Sequence, residues 1–114
     1  MSEMILSIAN DFSPSPAGRT SADGPFNAER FRDQVLLPAL QKAAQNHDKV
    51  VVLLDDAYSY SSSFLEEVFG GIVRKHVLDA KTLANTLEIR ANSPIYESFR
   101  QDAAKYFNDA IKSL

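Results

Sequence analysis

The stretch from Val50 to Val73, VVVLLDDAYSYSSSFLEEVFGGIV, decides how this chain folds. It begins with the longest uninterrupted apolar run in the chain, Val50 to Leu54, and Asp55 and Asp56 end it. A run so short, β-branched and without alternation suits a strand buried on both faces at the centre of a sheet. A polar turn, Ala57 to Ser63, follows, and then Phe64, Leu65, Val68, Phe69, Ile72 and Val73 recur at helical spacing. Glu66 and Glu67 in the first turns and Arg74, Lys75 and His76 at the end complement the helix dipole. Gly70 and Gly71 within this helix cost about 1 kcal/mol each relative to alanine, which implies that something approaches closely there, either the sheet or a partner.

Working outward, Glu3 to Ala9 reads as a first strand, with Met4, Leu6 and Ile8 on one side and Ile5 on the other. From Asn10 to Pro25 the composition turns to Ser, Pro, Gly and Asp, and Pro14, Pro16, Gly18, Gly24 and Pro25 deny a helix. This is a long loop, or a loop carrying a short edge strand near Arg19. Its length marks it as a candidate site as well as a surface connection. Asn27 is an N-cap for a helix that carries Phe31, Val35, Leu36, Ala39, Leu40 and Ala43 on one face and runs to about Asn46. Pro38 is expected to bend or break it near Leu37. Leu87 to Ala91 reads as a third strand. Ser93 and Pro94 open a final helix whose apolar face is Tyr96, Phe99, Ala103, Tyr106, Phe107 and Ala110.

Strands alternating with helices imply right-handed crossovers, so the fold class is α/β, a small domain with a mostly parallel or mixed sheet of three to five strands and three to four helices. At 114 residues and 45% hydrophobic content the chain is read as a single domain over residues 1–114. No apolar run approaches the roughly 18 residues a membrane helix needs, and Glu3 stands where a signal peptide would begin its apolar stretch, so a soluble, cytoplasmic protein with no membrane partner is expected. With no cysteine and with His47 and His76 far apart, no metal site is expected. The histidines read as helix-end cations or caps. Net charge is −3 with no dense basic block, which argues against a nucleic-acid partner.

The turn from Asp55 to Ser63 leads from the carboxyl end of the central strand into a helix amino terminus, the place where open α/β sheets build their sites and where free amides favour an anion. Ser61, Ser62 or Ser63 serves there as an N-cap, as serine commonly does, or as an acceptor for a phosphoryl group that would add about −2 of charge. Tyr58, Tyr60 and Phe64 form either an exposed aromatic patch of the kind enriched at interfaces or part of the core.

These segments resemble a known family. The run from Val50 to Val73 is similar to the anti-sigma-factor antagonist signature of STAS domains. More closely, Asn10-Asp11-Phe12-Ser13, Gly18-Arg19, Gly24-Pro25-Phe26, Glu29-Arg30-Phe31-Arg32 and Ser62 to Gly71 resemble the STAS-like domain family of unknown function, over nearly the whole chain. The resemblance implies a STAS-like fold and a protein partner, a histidine-kinase-like ATPase that phosphorylates a serine. The phosphoacceptor it implies is Ser62, with Ser63 next. Two positions depart from the antagonists: Ser61 stands where they have aspartate, and Phe64, where they have glycine, is bulky enough to cover the hydroxyl. Gly18-Arg19 has no counterpart in the antagonists. Arg19 and Arg32 either hold a phosphate or pair with Asp23, Glu29 or Asp56, and pairing is favoured because no phosphate-cradling glycine loop accompanies them.

Enzyme readings find little footing. Asp55 and Asp56 are sequence neighbours at a strand end and point to opposite sides. Asp55 as a receiver-type phosphoacceptor lacks the later strands and lysine of that fold. No Gly-x-Ser-x-Gly elbow, Walker or dinucleotide pattern is present, so neither catalytic residues nor a cofactor are expected. The expectation is a regulatory interaction module with partner-binding residues Arg19, Tyr58, Tyr60, Ser61, Phe64, Glu66 and Glu67. The alternative is a constitutive adaptor whose serines only cap a helix.

Overall fold

A computed structural model describes residues 2–114. The three strands, β1 (Glu3–Ser7), β2 (Lys49–Leu53) and β3 (Leu87–Arg90), pair in parallel in the order β1-β2-β3. Met4 lies opposite Val50, and Val50 opposite Leu87. The fold is α/β, and β2 is the central strand with Val50, Val51 and Val52 fully buried.

Among the described residues five helices accompany the sheet: α1 (Ile8–Asp11), α2 (residues 28–45), α3 (residues 62–74), α4 (Ala80–Thr86) and α5 (Glu97–Lys112). In α2 and α3 the middle of the helix widens to i→i+5 bonding, over Arg32–Leu36 and Glu66–Gly70. In α2 this segment lies immediately before Pro38. Extra backbone length there absorbs the missing proline donor, so the helix continues to Gln45 instead of breaking near Leu37. The second crossover helix, α3, packs against α2 and α5, and Phe31, Leu36, Leu40, Phe64, Leu65, Phe69 and Leu83 fill the core.

Right-handed crossovers that step along a sheet in the order 1-2-3 place their helices on one face. Val51 is accordingly buried yet outside the main core cluster. The register sets Ile5, Val51 and Glu88 side by side, with Leu53 and Arg90 two residues on. Arg90 of β3 reaches Glu3 of β1 at 3.5 Å and Glu88 at 2.8 Å, so a charged strap crosses β2 on the face opposite the helices.

Several boundaries differ from the sequence reading. β1 stops at Ser7, because the Ser7 hydroxyl accepts the Asn10 N–H and the Asp11 carboxylate accepts the Ser7 N–H, starting one helical turn. No edge strand forms near Arg19. The segment closes instead as a 3-10 turn, Ser21–Asp23, with a capping box between Thr20 and Asp23. Helix α4, capped by the Asp79 carboxylate on the Thr82 N–H, is absent from the sequence reading. His47 and His76 stand just past the ends of α2 and α3 with φ of 56° and 55°, the left-handed position that closes a helix. At His47 the closure is a Schellman pair, Asp48 N–H to Ala43 C=O and His47 N–H to Ala44 C=O.

Candidate functional site

At the carboxyl end of β2 the chain is fastened to each neighbouring loop. Both oxygens of the buried Asp55 carboxylate are occupied, one by the Asn92 N–H at 2.8 Å and one by the Ser93 N–H at 2.7 Å. Asp56 turns outward with φ of 76°, a left-handed conformation that aspartate tolerates better than most residues. The two carboxylates thus diverge, and Asp55 acts as a structural staple between the loops after β2 and β3. The Tyr96 hydroxyl donates to the Ala57 carbonyl at 2.6 Å, and the Tyr58 N–H to the Pro14 carbonyl at 2.8 Å.

This fastening sorts the aromatic side chains of the turn. Tyr58 is 83% exposed. Tyr60 and Phe64 are buried, which corrects the expectation that they belong to a partner surface. Tyr60 donates its hydroxyl to the Leu54 carbonyl at 2.6 Å and packs on Phe64 and Phe99, and burial pushes its phenol pKa up, so the donor stays neutral. Phe64 is fully buried between Phe31 and Tyr60. It faces the core and therefore does not cover the neighbouring hydroxyls, contrary to the expectation from its bulk.

The three serines have different roles. Ser61 is the N-cap of α3: its hydroxyl accepts the Phe64 N–H at 3.1 Å and shares a bond with the Ser63 hydroxyl at 3.1 Å. Ser62 is the first residue of the helix, is exposed, and its hydroxyl bonds to none of the described residues. Capping therefore leaves Ser62 free.

Arg19, Glu66 and Glu67 meet in one ion-pair network. Arg19 reaches Glu66 at 2.7 Å and Glu67 at 3.3 Å. Arg74 grips Glu66 at 2.6 Å, and the buried Arg32 joins Glu67 at 2.6 Å to Asp33 at 2.8 Å. Pairing is thus the observed role of both arginines, with partners on α3 and at Asp33 in place of Asp23, Glu29 or Asp56. The hydrogen bond to Glu66 raises the Arg19 pKa, and Arg74 and Arg19 hold the Glu66 carboxyl below its ordinary value. Burial works against the Arg32 charge, yet its bonds to Asp33 and Glu67 outweigh that and leave its pKa raised. This network also accounts for the glycines. A Cβ on Gly71 would lie 2.8 Å from an Arg32 nitrogen and one on Gly70 2.5 Å from a Glu66 oxygen, so within the domain it is ion-paired side chains, and not the sheet, that crowd these glycines.

The 10–26 loop packs onto α2 through Phe12, which lies edge-on to Phe26 and Phe31, with the Arg30 guanidinium 5.3 Å from the Phe26 ring centre. A residue missed by the sequence reading is Ile95, 74% exposed in the 3-10 turn Pro94–Tyr96 after β3. The signal was present: Ile95 falls off the apolar face formed by Tyr96, Phe99 and Ala103, beside a strand's carboxyl end. Among the described residues no group of His, Asp or Glu is arranged to hold a metal ion, and no helix is long and apolar enough to cross a membrane.

Residues 27–97 match the family described as STAS-like domain of unknown function. No curated protein and no solved structure matches the chain.

Proposed function

The chain belongs to the STAS-like domain family, and from that premise we propose that it is a regulatory protein-interaction module, not an enzyme, switched by phosphorylation of Ser62. The observation that carries the reading is the exposed, unbonded Ser62 hydroxyl at the start of α3, left free because Ser61 does the capping and Phe64 turns inward. Tyr58 and Ile95, the most exposed large apolar side chains, come from the two loops at the carboxyl end of the sheet that Asp55 and Tyr96 stitch together. Tyrosine is among the residues enriched as anchors of protein interfaces, and an exposed aliphatic side chain adds apolar contact beside it. The partner is a cytoplasmic kinase of the histidine-kinase-like ATPase type, and a phosphate on Ser62 would place about −2 of charge beside those anchors and weaken docking.

The test is affinity purification from native cytoplasm with wild-type, Ser62→Ala and Ser62→Asp baits, with intact-mass analysis of the recovered domain. The switch predicts an ATPase-type protein held by the wild type and lost by the Asp bait, and added phosphate on the wild type. Equal recovery by all three baits with no phosphate would overturn it in favour of a constitutive adaptor.

A further inference from the structure

We propose that the free edge of β1 is a docking site for a second copy of this chain, the two β1 strands pairing antiparallel about a two-fold axis at Met4 to make one six-stranded sheet. The inference concerns a different part of the surface from Ser62 and does not rest on the switch.

The edge is open. The Lys49 N–H bonds to the Ser2 carbonyl and Met4 lies opposite Val50, so in this parallel ladder Met4 and Leu6 direct their backbone groups at β2. Glu3 and Ile5 direct theirs outward, and among the described residues nothing bonds to those N–H and C=O groups. Glu3, Met4 and Ile5 are all exposed, whereas β3, the other edge strand, has no exposed residue. Edges are ordinarily guarded by lysine, proline or a bulge. β1 has none of these, and its one charge, Glu3, reaches back across the sheet to Arg90 at 3.5 Å. Met4 and Ile5, 39% and 49% exposed, stand there instead.

The strand is complementary to itself in one register. With Glu3 opposite Ile5 of the second copy, and Ile5 opposite its Glu3, each residue both donates and accepts, and all four outward groups of each strand are used. A register centred on Ile5 needs the Ser7 N–H, which already donates to the Asp11 carboxylate at 2.8 Å. A register centred on Glu3 sets two carboxylates directly opposite each other, which is destabilising. Such a two-fold contact closes on itself and leaves no free β1 edge for further growth.

Side chains fit the same register. Met4 falls opposite Met4 of the second copy on the helix-bearing face, where a cavity of about 300 Å³ lies beside β1, lined by Ser2, Met4, Lys42, Ala43 and Asn46 among others. Methionine is the side chain best suited to fill an irregular gap of that kind. On the open face Ile5 lies against the aliphatic stem of the facing Glu3 and extends the apolar row that it forms with Val51. Antiparallel pairing sends the carboxyl ends of the two sheets in opposite directions, so the Tyr58 and Ile95 loops of both copies stay open. One short strand pair buries less than the roughly 1,200 Å² of stable complexes, so the dimer forms reversibly and follows concentration.

The test is sedimentation velocity of the full chain from low micromolar to near-millimolar concentration, where the wild-type mass should rise towards twice that of one chain. Ile5→Pro removes an N–H that the single copy leaves unused, so it should unfold in urea close to the wild type yet stay monomeric. Met4→Lys places two cations at the axis and should stay monomeric as well. The chain has no cysteine of its own, so Met4→Cys installs a single thiol at a pair whose Cα atoms would be about 4.5 Å apart, within disulfide range. Mild oxidation should cross-link it into a covalent dimer far faster than Val77→Cys, an exposed position elsewhere on the surface. A wild type that is monomeric throughout overturns the proposal. So does a dimer that Met4→Lys leaves intact, or a Met4→Cys chain that cross-links no faster than Val77→Cys. Neither lysine nor cysteine at position 4 disturbs the backbone bonds to β2, so these two variants decide the matter even if Ile5→Pro unfolds. No arm involves a kinase or phosphate, so the switch stands or falls separately.

Discussion

Asp55 at the end of β2 accepts the backbone N–H of Ser93 at 2.7 Å, joining positions 38 residues apart in sequence. Its second oxygen takes the Asn92 N–H, so one carboxylate fixes where the β3–α5 turn, with Ile95 on it, sits relative to the Tyr58 turn.

Removing that carboxylate strands two part-buried amides. Asp55→Ala is expected to cost about 2–3 kcal/mol and Asp55→Asn, which keeps one acceptor, about 1 kcal/mol. Urea unfolding checks both. A stability loss of the same size for Asn and Ala would mean that the charge, not the pair of acceptors, holds the turn.

Phe64 and Ser62 stand on one turn with opposite destinations, core and solvent. Phe64→Ala should cost about 3–5 kcal/mol, because it opens a cavity against Phe31 and Tyr60. Ser62→Ala should change stability by no more than about 0.5 kcal/mol, as expected of an exposed hydroxyl without partners. Thermal unfolding of the two variants separates a residue the fold needs from one it does not use, and a large loss for Ser62→Ala would place that hydroxyl in the fold.

Much of this arrangement was legible in the sequence, for definite reasons. The uniform β-branched run of β2 has only one comfortable environment, and Phe64 to Val73 carries a face wide enough to declare a helix. That same periodicity places Phe64 among the buried positions, where it lies. Helix α4 escaped because Leu83 is its one large buried apolar residue, which leaves no period to read. Pro38 does distort the helix, but it does not break it, because the widened turn upstream takes up the missing donor, and propensity alone cannot foresee that. The partners of Arg19 lie 47 and 48 positions away, and no local pattern encodes so distant a pairing.

Gly70 and Gly71 are adjacent, both in helical conformation, and should respond differently to alanine. At Gly70 the new methyl would meet the ends of the partly exposed Glu66 and Arg74 side chains, which can move aside. The helix-propensity gain of about 1 kcal/mol should then offset the disturbance. At Gly71 it would meet Arg32, whose side chain is 8% exposed and pinned between Asp33 and Glu67. Displacing a buried ion pair is costly, so Gly71→Ala should be less stable than Gly70→Ala by about 1–2 kcal/mol. Equal midpoints in urea would show that Arg32 has room to retreat.

The network also sets the response to acid. Arg74 first, then Arg19, holds the Glu66 carboxyl below its ordinary value of 4.5, and Arg32 holds Asp33 below 3.8. A carboxylate with a depressed folded-state pKa contributes its stability above the unfolded value and loses it as pH falls through the folded one. Stability should therefore be level from pH 7 to about 5 as far as these two groups are concerned, and should fall progressively below 4.5. Partial exposure limits the combined contribution to roughly 1–2 kcal/mol. Glu66→Gln with Asp33→Asn should lower the plateau at pH 7 and flatten the acid limb, so that wild type and double variant converge near pH 2. Urea midpoints measured every half pH unit decide the matter. If the gap between the two proteins stays constant from pH 7 to 2, the ionised Glu66 and Asp33 carboxylates do not supply this stability, and the 10–26 loop is held by its backbone bonds and the packing of Phe12 instead.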